Sequence, residues 1–239
     1  DESTITDLGY TPEQTEALRS LLTGRPGLFL MVGAADPTSS RHRLALANEL
    51  GRSGRLVISL EHRLQYRSEL LVQLEVSPEN EKKDEEEGET EGEQKTESGS
   101  ATLWQTALGM SPEVLFTDEV RGAQEASGLL EAVYAGSVVV AQVRAPGGVE
   151  ALTQLIDFGL NRDGLARLLL GLVERISLRR LCPHCRKKRQ VSAQEAEFLE
   201  ISTDTQIWQQ VGCESCGDGF LGRRMLYGFW IMDDELSKI

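Results

Sequence analysis

The chain has 239 residues, 40% apolar and 26% charged, enough for one sizeable core and a small appended module. No apolar run approaches the ~20 residues of a membrane span and no signal peptide opens the chain, so the expectation is a cytoplasmic protein, peripheral at the inner face of a membrane at most and without direct membrane insertion. The net charge of −13 leaves no basic face to offset it and argues against nucleic acid as a partner.

Thr11-Pro12-Glu13-Gln14 has the form of a capping box with proline at the first helical position, and predicts a helix to about Leu22. Gly24-Arg25-Pro26-Gly27 turns the chain into an apolar strand over 27–32, which ends at Gly33 in a polar loop; an amphipathic helix then runs to Leu50. Strands follow at 56–60 and, by the alternation of Leu70, Val72, Leu74 and Val76, at 70–76. Between Glu79 and Ser100 ten acidic residues stand against Lys82, Lys83 and Lys95, which is seven of the thirteen excess charges, with no aliphatic or aromatic side chain among them. Such a segment cannot bury enough surface to fold, so 77–101 is expected to be a disordered insertion, with a tail for a basic partner as the alternative. Beyond it come a helix at 103–108, a buried strand at 114–117, a helix at 125–135 stopped by Gly136, a buried strand at 138–140, and helices at 149–158 and 165–175. Strands alternating with helices predict an α/β protein with a mainly parallel sheet, whose ligands sit at the carboxyl ends of strands, where 34–40 and Asp118-Glu119 both fall.

A phosphate loop reads G-x-x-x-x-G-K-[ST]; counted from Gly33, Thr38 stands at the second glycine, Ser39 at the lysine, and only Ser40 fits its position. The glycines of such a loop let backbone N–H groups curl around an anion, and the lysine adds a point charge. Here Pro37 has no N–H to give and Asp36 sets a carboxylate against phosphate. Asp36-Pro37 also reads as N-cap and first helical residue, which favours a self-capped structural helix over a working triphosphate site. Val114-Leu115-Phe116-Thr117-Asp118-Glu119 has the form of a Walker B strand, an apolar run ending in an acid that can hold Mg²⁺ and then one that can activate water. Glu61 is a third acid near the same edge.

Cys182-Pro183-His184-Cys185 and Cys213-Glu214-Ser215-Cys216 hold all four cysteines. Two CxxC pairs are a tetrahedral zinc signal, and four sulfurs leave no open position, so the role is structural. Disulfides are the alternative. His184, between ligands, is read as exposed or behind them. Ser192-Ala193-Gln194-Glu195 is a capping box opening a short helix to Glu200.

These residues resemble a known family, the secretion ATPases of type II secretion and type IV pilus assembly, in their RecA-like carboxy-terminal motor domain. Leu8-Gly9-Tyr10-Thr11-Pro12-Glu13-Gln14 looks like the family's lead-in; Arg179-Arg180-Leu181-Cys182-Pro183-His184-Cys185 and Gly212-Cys213-Glu214-Ser215-Cys216-Gly217-Asp218-Gly219-Phe220-Leu221-Gly222-Arg223 are close to the two ends of its tetracysteine zinc site. The resemblance spans nearly the whole chain. It implies an α/β, RecA-like P-loop NTPase fold with a mainly parallel sheet over 1–180, interrupted by the insertion 77–101. It further implies a small zinc-binding subdomain over 181–222, held by Cys182, Cys185, Cys213 and Cys216, and a motor-domain tail over 223–239. ATP and Mg²⁺ would lie at Gly33, Ser39, Ser40 and Asp118, with Glu119 and Glu61 as the catalytic acids. The family works as a ring hexamer with secretion or pilus machinery, and carries an amino-terminal domain before the motor domain. Because the chain begins almost at the motor domain, a fragment is one reading of it.

The catalytic boxes depart from the family's pattern. Glu61 is kept from a Glu-Asp-Pro box, but His62 and Arg63 follow it. Glu119 is kept from the Walker B box, with Arg121 after it, but Asp118 replaces a glycine. Ser137 and Arg144 stand where the family places histidines, and Gln105 and Gly109 where it places arginines. With Ser39 for lysine, the means of stabilising a transferring phosphoryl group are gone, leaving Glu119 and Glu61 vestigial and ATP and Mg²⁺ in question. The expectation is a degenerate, catalytically dead homologue, a structural or regulatory part of a secretion or pilus apparatus that works beside an active motor ATPase. Two alternatives stand against it. One is an active ATPase in which Arg41 or Arg43 replaces the lysine; the other is nucleic-acid binding through Arg186-Lys187-Lys188-Arg189.

Overall fold

A computed structural model describes residues 5–34, 37–75 and 99–232. The chain divides into two compact units, Asp1–Arg175 with Tyr227–Ile239, and Ile176–Leu226.

In the first unit a 3₁₀ turn (Ile5–Leu8) precedes α1 (Pro12–Thr23), whose capping box forms: the Gln14 N–H donates to Thr11 Oγ1 at 3.2 Å and the Thr11 N–H to Gln14 Oε1 at 3.0 Å. Then follow β1 (Gly27–Val32), α2 (Pro37–Arg52), β2 (Val57–Glu61) and β3 (Val72–Glu75). After the acidic segment come α3 (Gly99–Gly109), β4 (Val114–Thr117), α4 (Ala123–Tyr134), β5 (Val138–Val143), α5 (Gly148–Asp157), α6 (Arg162–Leu168) and β6 (Leu169–Leu181). The chain leaves this unit within β6 and returns within β9 (Phe220–Ile231).

The sheet order is β3-β2-β4-β5-β1-β6-β9. From β3 to β6 the pairings are parallel. β9 closes the far side in the opposite sense: the Met232 N–H reaches Leu170 O at 3.1 Å, while residue 228 lies beside Glu174. Because β1, β2, β4 and β5 are covered on both faces, their residues are buried without a break rather than at alternate positions, and most of them are apolar. Leu28, Leu30 and Val32 face a layer formed with Trp104, Leu129, Ala151 and Leu155, whereas Phe29 and Met31 face one formed with Leu18, Leu22, Leu46 and Leu50.

Four expectations are corrected. The helix predicted over 165–175 stops at Leu168, and Leu169 begins β6. Residues 169–173 are all buried, and a Cβ on Gly171 would stand 2.5 Å from the Trp230 carbonyl oxygen. A short run apolar on every side suits a strand covered on both faces as well as it suits a helix, and here the sheet takes it. The strand at 70–76 is shorter and forms a sheet edge, with Val76 outside the described residues. The insertion expected over 77–101 lies mostly outside the described residues too, but 99–101 form the first turn of α3. The long strand β9 occupies 220–231, much of the stretch read as a tail. In the second unit β7 (Lys187–Gln190) and β8 (Gln206–Gln209) pair antiparallel, and α7 (Ala193–Phe198) carries its predicted capping box.

Candidate functional site

The carboxyl ends of β1, β2 and β4 gather Gly33, Glu61, His62, Asp118 and Glu119, as parallel topology requires. Gly33 closes β1 with φ +142°, and a Cβ there would lie 2.7 Å from the Arg175 backbone oxygen, so close packing on β6 by itself demands glycine. Pro37 opens α2 as expected; its predicted N-cap, Asp36, lies outside the described residues. Ser39 is buried. Ser40 lines a hollow with Arg43, Ser59, Glu61 and Tyr66 whose free volume of about 10 Å³ is that of roughly one water.

Each acid at this edge has a cation from the same chain. Arg43 Nη2 donates to Glu61 Oε2 at 2.8 Å, with both side chains about 95% buried (5% and 6% exposed). Ser59 Oγ and Gln73 Nε2 donate to Glu61 Oε1 at 2.9 and 3.1 Å. Arg43 is therefore committed to Glu61 rather than presented to a phosphate, which removes one of the two lysine substitutes considered above. The other, Arg41, lies with its guanidinium 5.7 Å from the Tyr66 ring centroid. Arg144 Nε contacts Glu119 Oε1 at 2.9 Å and Arg121 Nε contacts Oε2 at 3.5 Å, both arginines more than half exposed (61% and 53%).

His62 sits between two carboxylates. Its Nδ1 lies 2.6 Å from Asp118 Oδ1 and its Nε2 2.9 Å from Glu125 Oε1, while its backbone N–H donates to Asp118 Oδ2 at 2.7 Å. Burial alone would lower the His62 pKa, but the hydrogen bonds and charges of Asp118 and Glu125 outweigh it and raise it to about 9. Burial likewise opposes ionisation of Asp118, and the His62 imidazolium more than offsets it, holding the carboxyl below its ordinary value. The sequence reading had His62 and Asp118 as separate departures from two boxes and Glu125 merely as the start of a helix. No local signal joined the first two: His62 and Asp118 stand 56 residues apart and meet only in the fold. Ser137, a further departure, donates from Oγ to Pro112 O at 2.7 Å and serves a turn.

A further polar cluster lies beneath β1. Tyr10 Oη meets His42 Nε2, the Tyr10 and Tyr227 rings pack with centroids 4.2 Å apart and planes inclined by 42°, and Arg175 Nη2 donates to Ala34 O at 2.5 Å. Burial, then the Arg175 charge, hold the His42 pKa down at about 3, so this histidine is neutral.

In the second unit the four cysteines do converge: their Sγ atoms all lie within 4.8 Å of one another, with Cys185–Cys216 at 3.6 Å and Cys213–Cys216 at 3.5 Å. A tetrahedron of thiolates 2.3 Å from zinc has sulfur edges of about 3.8 Å, so the donor set fits. Tight turns present the sulfurs. The Gly217 N–H donates to Cys213 O at 2.7 Å and the Gly212 N–H to Cys185 Sγ at 3.4 Å, with Gly212 at φ +112° and its missing Cβ 2.7 Å from Gly217 O. All four cysteines are free of disulfides, and His184 is exposed. The basic run beside them is turned on its own unit: Arg186 and Lys188 lie 4.2 and 5.4 Å from the Trp208 ring centroid, and Arg189 pairs with Glu195.

The profile of the family described as Type II/IV secretion system protein matches residues 2–239. Over 230 residues, 96% of this chain, it is 26% identical to the type II secretion system protein E of Klebsiella pneumoniae, of which it spans 43%. Over 237 residues it is 23% identical to the type IV pilus assembly ATPase PilB of Thermus thermophilus, covering 97% of this chain and 25% of that protein. The chain thus spans less than half the length of these relatives. Among solved structures it resembles the Legionella pneumophila ATPase DotB (TM-score 0.62, 14% identity, 99% of this chain and 52% of that one) and the ADP-bound pilus retraction motor PilT (TM-score 0.63, 16% identity, 100% and 55%). With the mainly parallel sheet and the four-cysteine cluster already in place, these matches establish that the chain belongs to the type II/IV secretion system protein family, with the RecA-like fold of its ATPases.

Proposed function

We propose that this chain is a motor domain that has given up phosphoryl transfer and acts as a structural or regulatory component of a type II secretion or type IV pilus apparatus. In this reading it works on the cytoplasmic side, beside an active ATPase of the same family and within an oligomer, a hexamer in the family. The observation that carries it is the buried Arg43–Glu61 pair: a cation that could have replaced the loop lysine is spent on an acid that could have served catalysis. Ser39 at the lysine position and Pro37, which has no N–H, support the same conclusion. Titration calorimetry with Mg-ATP and Mg-ADP tests it. No binding heat at millimolar nucleotide is expected, and micromolar affinity with turnover would overturn the proposal.

The cysteines hold one structural zinc in this reading, supported by the converging sulfurs. Closed tetrahedral coordination contributes to folding rather than to chemistry. Metal analysis should find about one zinc per chain; a content near zero in protein purified without chelator counts against it.

A further inference from the structure

Asp118 was read as an acid able to hold a divalent cation, and Glu125 reaches the same point from the first turn of α4. All four of their carboxylate oxygens accept hydrogen bonds from the protein. Asp118 Oδ1 takes His62 Nδ1 and the Glu119 N–H (2.7 Å), and Oδ2 takes the His62 N–H; Glu125 Oε1 takes His62 Nε2, and Oε2 the Arg121 N–H (2.5 Å). With both ring nitrogens facing carboxylate oxygens, both must donate, which is the imidazolium form. The surrounding hollow, lined also by Leu60, Glu61, Leu103, Trp104 and Thr117, has about 10 Å³ free, roughly one water and no room for a hydrated metal ion.

We propose that His62 is a resident cation: its side chain takes the place of a divalent ion between Asp118 and Glu125, and so closes the acidic edge of the sheet against metal. The histidine and Asp118 are then one compensated change rather than two losses, and they tie the ends of β2 and β4 to α4 without magnesium. The charged groups around the ring are consistent with this. Asp118 and Glu125 bind it directly, Glu61 precedes it on β2 but is neutralised by Arg43, the Arg43 charge also acts on Asp118, and the residues of α3 that line the hollow are apolar. The raised His62 pKa keeps the ring charged at neutral pH. This assignment deepens the reading of a site without nucleotide chemistry, and rests on it.

Mn²⁺ alone is the probe, its binding to the full chain followed by water proton relaxation. The parent should bind no Mn²⁺ below about millimolar, His62→Ala should bind it about tenfold or more tighter because two carboxylates are released, and His62→Lys, which keeps a cation, should match the parent. Parent binding as tight as His62→Ala, or binding by His62→Lys, would overturn the assignment. Should His62→Ala not fold, the parent decides: an NMR titration in which the His62 ring loses its proton below pH 7 refutes a resident cation, and one in which it keeps the proton past pH 8 supports it. Mg-ATP binding is measured separately on the parent. A nucleotide complex with a silent Mn²⁺ titration sinks the proposed function but not the role of His62, and Mn²⁺ binding without nucleotide does the reverse.

Discussion

At the carboxyl edge of the parallel sheet, Glu61 meets Arg43, Asp118 and Glu125 meet His62, and Glu119 meets Arg144 and Arg121, so four carboxylates face four cations of the same chain. In the cysteine cluster the reverse holds: four sulfurs meet chiefly one another, and no lysine, arginine or histidine contact to them was found among the described residues. Carboxylates buried at the sheet edge are paired from within the fold because unpaired buried charge is expensive, whereas the four sulfurs leave their donor electrons for a ligand to take. The two regions therefore predict opposite responses to removing a partner.

The largest effect should come from Cys216→Ser. Loss of one thiolate from a closed tetrahedral site should reduce zinc from about one equivalent to near zero and remove a contribution on the order of 10 kcal/mol to the folding of the cysteine unit. Limited proteolysis between 176 and 226 reads this directly, and a resistant, zinc-free variant would erase the contrast. Next is Arg43→Ala, which leaves Glu61 buried without its cation and should destabilise the sheet unit by about 3–5 kcal/mol in denaturant unfolding; Arg43→Ala with Glu61→Gln should recover much of that loss. Gly33→Ala should cost about 2–4 kcal/mol, since both its φ and the Arg175 carbonyl oppose a side chain.

Two histidines sharpen the comparison through pH. His62 has its pKa raised from 6.5 to about 9 in the folded chain, so its stabilisation is fully present below pH 6.5 and is lost as pH rises through 9. After discounting for solvent screening this is about 1–2 kcal/mol, and His62→Gln should flatten that part of a stability profile. His42 is shifted the other way, to about 3, so the unfolded chain binds the proton first, and stability is lost as pH falls from 6.5 toward 3. Glu119→Gln should change least, within about 1 kcal/mol, because its arginine partners are mostly solvated. A much larger loss would show that the rim pairs carry more than their exposure suggests.

Much of the sheet was legible from residues alone: the runs at 27–32, 114–117 and 138–140 are short and lie beside Pro26 and Gly33, Pro112 and Gly136, which favours a covered strand over a helix, and the Thr11 and Ser192 capping boxes formed as their local geometry dictates. The stretch 165–175 was misread because its apolar residues fit both periods, and what selects a strand is β1 on one side and the Trp230 carbonyl on the other, 59 positions beyond Gly171. The basic run 186–189 likewise looked free until Trp208 and Glu195 were brought against it.

The sequence by itself determined the α/β class, the cysteine pairs and the missing loop lysine, because these rest on residue type and short spacing. Only the tertiary structure decided what the surviving acids do. Whether Glu61 or Asp118 is available for a ligand depends on which cation folds against it, and Arg43 and His62 reach those carboxylates across 18 and 56 residues of chain, a distance that no local pattern records.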